Sequence, residues 1–588
     1  TVRRLTFGPR ADSEARWSPD GKSIAFVSDR DEAGKPGLFV IDMAGGEARR
    51  VPEFDGEVSQ PRWSPIGDRI CFLGKDVATP QEKDRTEKRC DPVVAEEEYK
   101  YSRLYTVPAS GGTPALLGLS GKQHVTAYDW FPDGKSVVVA ATDTPSENDT
   151  GYGPTRLIRV TLDTEQPNVP VKTLETGITS PLISPDGALI AFLAKAGRVT
   201  SQDAVWVLPS SGGESRCVTP DLRGSADAMA WSSDSQEIRF VGFRGLRGTL
   251  QSVQLGNGEI AISPSPRFER AGSFEEYISF DRSGNKYAAI CSTSGQPANV
   301  WSGTFGQEPG PVTDLNQPAA SLPFAGAEEI EWESADGTRI QGLLYRPLGF
   351  QLGTKYPLVV EVHGGPAWLW ADVFSPSWRQ WPQLLAARGF AVLLPNPRGS
   401  VGRGHLFTDL EVGDMGGGEL NDILSGVDHV VGMGFVDENR LGIGGWSHGG
   451  YLSSWAITQT NRFRAAVVGA GVSNLVSDNG LNDIPGFNVD YFDQSPHQNH
   501  DLYWKRSPLA HIQNVQTPTL VLHGEKDERV TQSQGQELYR ALRDQGVEAT
   551  FVTYPREKHA IAEREHQLDL AERVIDWFQR HLGNVENG

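Results

Sequence analysis

A short turn recurs six times in the first half of this chain, and no other feature limits its fold as much. The copies are Trp17-Ser-Pro-Asp-Gly21, Trp63-Ser-Pro-Ile-Gly67, Trp130-Phe-Pro-Asp-Gly134, Ile183-Ser-Pro-Asp-Gly187, Trp231-Ser-Ser-Asp-Ser235 and Phe280-Asp-Arg-Ser-Gly284, spaced 46 to 67 residues apart. A short apolar strand follows the turn, as in Ile24-Ala-Phe-Val27 and Ile190-Ala-Phe-Leu193. A second strand then leads in several copies to a Gly-Gly hairpin, as in Leu38–Ile41 before Gly45-Gly46. One turn with about four short strands at this period is the unit of a β-propeller, since one such sheet cannot bury its faces alone. The aromatic before each turn is expected to pack between blades. Six blades are clear; the ends, Val2–Thr6 and Val312–Leu315, could complete a blade or close the ring.

At 588 residues the chain is too long for one core and fits two domains. The expected seam is the Pro/Ala-rich stretch 317–326, dividing a propeller at 1–320 from a second domain at 321–588. Residues 328–346 then read as a hairpin turning at Asp336-Gly337.

The second half carries the chemistry. Gly442-Ile-Gly-Gly-Trp-Ser447-His-Gly-Gly-Tyr451 fits G-x-S-x-G, with a buried strand before it and an apolar helix start after it. A strand turning sharply into a helix holds the serine at the apex, and the flanking positions must be small to avoid the adjoining strand and helix. Further on, the apolar strand 518–524 ends in a loop with Asp527, and strand 549–554 ends in a loop with His559. The order Ser447, Asp527, His559 is that of an α/β-hydrolase, and loops at the carboxyl ends of parallel strands gather at one edge. Glu525 and Glu528 rival Asp527, and His566 rivals His559. His448 and His523 read as packing residues in their side chains. Two backbone donors are expected for a tetrahedral oxyanion: the His448 amide, and a glycine amide of His363-Gly-Gly-Pro366, with Gly365 preferred over Gly364.

These motifs, with Asn396-Pro-Arg-Gly-Ser-Val-Gly402, Gly413-Asp-Met-Gly-Gly-Gly-Glu419 and His523-Gly-Glu-Lys-Asp-Glu-Arg-Val530, resemble the prolyl oligopeptidase family, in particular its acylaminoacyl-peptidase and dipeptidyl-peptidase 5-like branch. The resemblance implies a two-domain protein, an N-terminal propeller, for which it suggests seven blades where the repeats make six clear (six or seven), and a C-terminal α/β-hydrolase, acting as a serine exopeptidase or oligopeptidase on short peptides. It also implies a substrate-carbonyl contact for Arg529. Arg403 departs from the pattern, since the family usually carries an aromatic after the equivalent of Gly402. A carboxylesterase on the same machinery is the alternative activity.

Two further groups are candidates for substrate binding. The insertion 75–103 is dense in charge, and Glu96, Glu97 or Glu98 could pair with a substrate ammonium if it dips toward the serine. Trp368 and Trp370, with Phe374, Trp378 and Trp381, could line an apolar pocket or pack the seam between domains. A formal net charge of −20 argues against nucleic acid and anionic membranes. Eleven of the twelve histidines follow residue 362, and no metal cluster or phosphate loop appears, so no metal or cofactor is expected. Cys71, Cys90, Cys217 and Cys291 lack C-x-x-C spacing and read as reduced thiols, and no apolar run of about 18 residues occurs. The expectation is a cytoplasmic enzyme, with homo-oligomers possible and short peptides or aminoacyl amides as partners.

Overall fold

The computed structural model describes residues 3–583 apart from 9, 52, 120, 164–167, 176, 199–202, 265–277 and 375–376. Six antiparallel four-stranded sheets follow one another along the chain, spanning 12–50, 58–116, 124–174, 179–217, 229–263 and 278–311. Each is a simple meander of consecutive strands. The recurring turn joins the first strand of a blade to the second. In the first copy Ser18 Oγ donates to Asp20 Oδ1 at 2.7 Å and accepts from Ser23 N at 2.9 Å. Gly21 closes the turn at φ +70°, a conformation that penalises any side chain. Ser184 with Asp186 and Ser232 with Asp234 repeat the bond at 2.6 Å.

The aromatics before the turns tie the ring together. Trp63, Trp130 and Trp231 donate through Nε1 to Arg16 O, Arg62 O and Leu182 O of the preceding blade, at 3.0, 3.3 and 3.2 Å. Trp17, on the first blade, is instead 57% exposed. Among the described residues the propeller has six blades, not the seven that the resemblance suggests. Residues 3–6 form no strand, and Val312 only extends the last blade by donating to Val300 O at 2.8 Å. Val2 lies outside the described residues.

The C-terminal sheet has eight strands: β1 Ala327–Glu333, β2 Arg339–Tyr345, β3 Tyr356–Val362, β4 Ala391–Asn396, β5 Val436–Trp446, β6 Ala465–Gly469, β7 Thr519–Gly524 and β8 Ala549–Tyr554. Their order is β1-β2-β4-β3-β5-β6-β7-β8, with the antiparallel hairpin β1–β2 on one edge and parallel pairing from β4 onward. The central strands are apolar on both faces because both are covered. Val360, Val362 and Ile443 pack with helices Gly418–Gly432 and His448–Gln459; Val359, Leu394 and Val467 pack with helix Arg564–Leu582. The second of these cores continues into the propeller through Val241, Leu250 and Tyr287. The carboxyl ends of β3, β5, β7 and β8 therefore lie at one edge, facing loops that hold the chemistry.

Candidate active site

Ser447 sits between β5 and its helix at φ +62°, and its amide donates to Gly469 O at 2.8 Å. The sharp turn depends on its glycines. A Cβ on Gly445 or on Gly449 would overlap the carbonyl oxygen of Val362 in the neighbouring strand. His448 is the first residue of the helix, so its amide is one of the donors that a helix leaves unpaired at its N-terminus.

Asp527 and His559 meet across two strand-end loops. His559 Nδ1 lies 2.8 Å from Asp527 Oδ2, while Asp527 Oδ1 accepts the amides of Arg529 and Val530 at 2.9 and 3.0 Å. Burial works against ionising Asp527, but bonds from His523 and His559 outweigh it and hold the carboxyl far below its ordinary value. Its rivals face elsewhere: Glu525 accepts from Arg556 N at 3.1 Å, and Glu528 pairs with Lys558 at 3.3 Å. His566 pairs with Glu557 at 2.8 Å, and Glu557 also accepts the amides of Ala562 and Glu563 just before the last helix.

Ser447 and His559 open into one cavity of about 370 Å³ that Gly364, Gly365 and His448 also line. Gly364 packs on the elbow: a Cβ there would lie 3.0 Å from Trp446 O and 3.2 Å from Ser447 Cβ. Gly365, at φ +133°, would drive a Cβ to 2.8 Å from Ala367 N. Trp368, Trp370 and Arg529 complete the predicted lining. Trp370 is fixed by Nε1 donating to Glu361 O at 3.0 Å, and Arg529 by Asp483 at 2.6 Å, with Glu147 of the propeller at 3.6 Å. Of the other aromatics, Trp378 packs edge-on against Trp446 at 4.7 Å, Trp381 is buried in the core, and Phe374 meets the propeller through Ser292. Arg403 stays out of the cavity and lies over the Phe407 ring, 4.0 Å from its centre.

The acidic run of the insertion is not brought to this cavity. Glu96, Glu97 and Glu98 are exposed, and Glu98 pairs with Arg85 at 2.8 Å on the insertion's own helix, Pro80–Glu87. Lys100 likewise folds back on Glu82 at 2.7 Å, so this acid too pairs within the insertion. The propeller reaches the cavity instead through Tyr152, at the end of helix Glu147–Tyr152. Tyr152, Asp478 and Asn488 were not legible as site residues, because only the docking of separate segments brings them to the serine. Beneath the elbow, His448 Nε2 lies 2.8 Å from Glu419 Oε1, with Glu411 beside it. These three side chains could offer metal ligands within 4.8 Å of one another. Burial, then the neighbouring Glu419, push Glu411 well up, which describes an acid pair sharing a proton equally well.

Comparison with known proteins fits this geometry. The family model for the prolyl oligopeptidase family matches residues 376–585. An uncharacterised peptidase of Bacillus subtilis, YuxL, is 30% identical over 619 residues, covering 98% of this chain and 91% of the relative. The chain belongs to the prolyl oligopeptidase family. This member is a serine peptidase of the prolyl oligopeptidase type. Dipeptidyl-peptidase 5 of Trichophyton schoenleinii is 24% identical, covering 97% of this chain and 85% of the relative. Acylaminoacyl peptidase of Pyrococcus horikoshii shares the fold with a TM-score of 0.81 at 21% identity, covering 98% of this chain and 90% of that one. No helix among the described residues of this family member is long and apolar enough to cross a membrane.

Proposed function

We propose that this chain is a serine exopeptidase that releases an aminoacyl, acylaminoacyl or dipeptidyl unit from the N-terminus of short peptides or aminoacyl amides. Ser447 is the nucleophile. His559 accepts its proton through Nε2, while Asp527 holds Nδ1–H, fixes the tautomer and stabilises the imidazolium. The amides of Gly365 and His448 receive the oxyanion, the latter strengthened by the helix N-terminus. Collapse of the tetrahedral intermediate passes the proton from His559 to the leaving amine, and water repeats the sequence on the acyl-enzyme. Trp368, Trp370 and Arg529 are assigned to substrate binding, and the boundary between the two units to residue 320.

The observation that carries this reading is the cavity shared by Ser447 and His559, backed by Asp527 and bordered by Tyr152 of the propeller. A site bordered by a second domain favours chain ends and short peptides over folded proteins. The relatives named for dipeptidyl and acylaminoacyl release support the N-terminal direction. Rates on an aminoacyl-anilide, its N-acetyl form, a dipeptidyl-anilide and a simple ester test it. Turnover of at least one anilide is expected; hydrolysis of the ester alone would make the enzyme a carboxylesterase.

A further inference from the structure

One part of the cavity has a chemistry that the steps above do not use. The segment leaving β6 carries Val472, Leu475, Asp478 and Asn482, near the helical spacing that gathers side chains on one face of helix Leu475–Leu481, and all four line the cavity. Helix Pro485–Phe492 adds Phe487 and Asn488 to the same lining. Asp478 is 4% exposed and Asn488 1%. Asp478 Oδ2 accepts from Asn482 Nδ2 at 3.0 Å and from Asn488 Nδ2 at 3.2 Å. Among the described residues the second oxygen of the carboxylate, Oδ1, has no hydrogen-bond partner, and neither does Asn488 Oδ1. The bond from Asn488 Nδ2 to Asp478 fixes the amide orientation, so its free atom is an acceptor.

Two buried acceptors without donors, in a lining that also carries Val472, Leu475, Phe487 and Val530, call for a ligand with an apolar stem and a head rich in donors. Burial is the first cause acting on Asp478, and nearby Asp527 and Asp483 add to it, so the carboxyl is pushed up to about 6 although Asn482 and Asn488 bond to it. The nearby guanidinium, Arg529, is already taken by Asp483 and Glu147. A cationic head group would complete both acceptors and offset the clustered acids.

Building on the peptidase reading, we propose that Asp478, with Asn488, forms a subsite that selects a basic side chain, lysine or arginine, on the residue whose carbonyl Ser447 attacks. The aliphatic stem lies along Val472, Leu475 and Phe487 while the ammonium or guanidinium donates to Asp478 Oδ1 and Asn488 Oδ1. The same acceptors would suit an α-ammonium, so the test separates the two sources of positive charge.

Matched anilides with lysine, arginine or norleucine at the cleaved residue, each with a free and an acetylated α-amine, are compared on the full chain. A charge-assisted bond of this kind predicts a kcat/KM ratio of lysine over norleucine of about ten to a hundred. Asp478→Asn should bring that ratio close to one, with titration by a fluorophosphonate verifying that the variant's serine is intact. Lysine amide should also protect Ser447 from the fluorophosphonate better than norleucine amide does, a readout that needs no turnover. Wild-type enzyme that handles norleucine as well as lysine in both assays overturns the subsite, and so does a fully titratable Asp478→Asn that keeps the preference. An effect confined to the comparison of free and acetylated amines also overturns it, assigning the carboxylate to the α-ammonium. Absence of anilide turnover by an enzyme that hydrolyses esters overturns the peptidase reading instead, and the protection assay still decides the subsite.

Discussion

The indole Nε1 of Trp446 donates to the carbonyl oxygen of His559 at 2.9 Å. The residue before the candidate nucleophile thus holds the loop of the candidate base, linking two segments that are far apart in sequence. Trp446→Phe keeps most of the ring and deletes the bond. A net hydrogen bond of about 1 kcal/mol predicts a fall in kcat of roughly threefold to tenfold, with KM less affected. Steady-state kinetics check this; an equal change in both constants would place the effect in binding.

Ser447→Ala should abolish turnover and labelling by a phosphonate while the thermal midpoint stays near that of the wild type. Asp527→Asn should lower kcat by about a thousandfold or more, because the imidazole can then adopt the wrong tautomer. A near-normal rate would send the role to Glu525 or Glu528.

Glu361 is fully buried on β3, and burial pushes its carboxyl up to about 8 even though it accepts the Trp381 amide at 3.0 Å. Its folded value lies above the 4.5 of an ordinary glutamate, so its contribution to stability is complete below pH 4.5 and is lost as pH rises toward 8. The loss amounts to roughly 1.4 kcal/mol per pH unit across that window. Glu361→Gln keeps an acceptor for Trp381 and removes the titration. Thermal scans from pH 5 to 8 should show a flatter pH dependence in the variant and a higher midpoint at pH 8; parallel curves would show that Glu361 is ionised throughout.

The propeller docks on the hydrolase beside the cavity through Lys195 with Asp490 at 2.8 Å and through Asn148 Oδ1, which accepts from Gly486 N at 2.8 Å. Removing both side-chain contacts, Lys195→Ala with Asn148→Ala, should loosen this edge by about 1–2 kcal/mol. Cleavage of a casein-sized unfolded chain relative to a short peptide should rise severalfold. An unchanged ratio would mean that substrates enter elsewhere.

Glu96→Gln, Glu97→Gln and Glu98→Gln should each leave KM within about twofold, as expected for exposed surface positions. A tenfold rise restricted to substrates with a free amine would return the insertion to the site.

What the sequence determined by itself was local. The recurring turns announced their blades because they close on their own side chains, as Ser18 does on Asp20 and Ser184 on Asp186, and because the last position takes a positive φ, met by glycine in five copies and by Ser235 in one. The indole bonds of Trp63, Trp130 and Trp231 follow from the same period. The elbow around Ser447 was legible for a similar reason: Gly445 and Gly449 exclude side chains from the Val362 carbonyl, so the pattern of small residues is itself the geometry. Strand ends placed Asp527 and His559 on one edge, because parallel strands force their following loops together.

Only the tertiary structure decided which distant segments share the cavity. The 75–103 insertion and helix Glu147–Tyr152 are both propeller segments with acids, but the insertion mixes them with seven lysines and arginines while the helix has none. The first pairs Glu98 with Arg85 and Glu82 with Lys100, while the second is carried to the hydrolase by the docking of Asn148 on Gly486. Blade number was also a global matter, since a terminal segment becomes a strand only if a neighbour offers a free edge. Asp478 reads in sequence as one more helix carboxylate. Its significance comes from burial and an unpartnered oxygen, which depend on what two helices and the strand ends leave open between them.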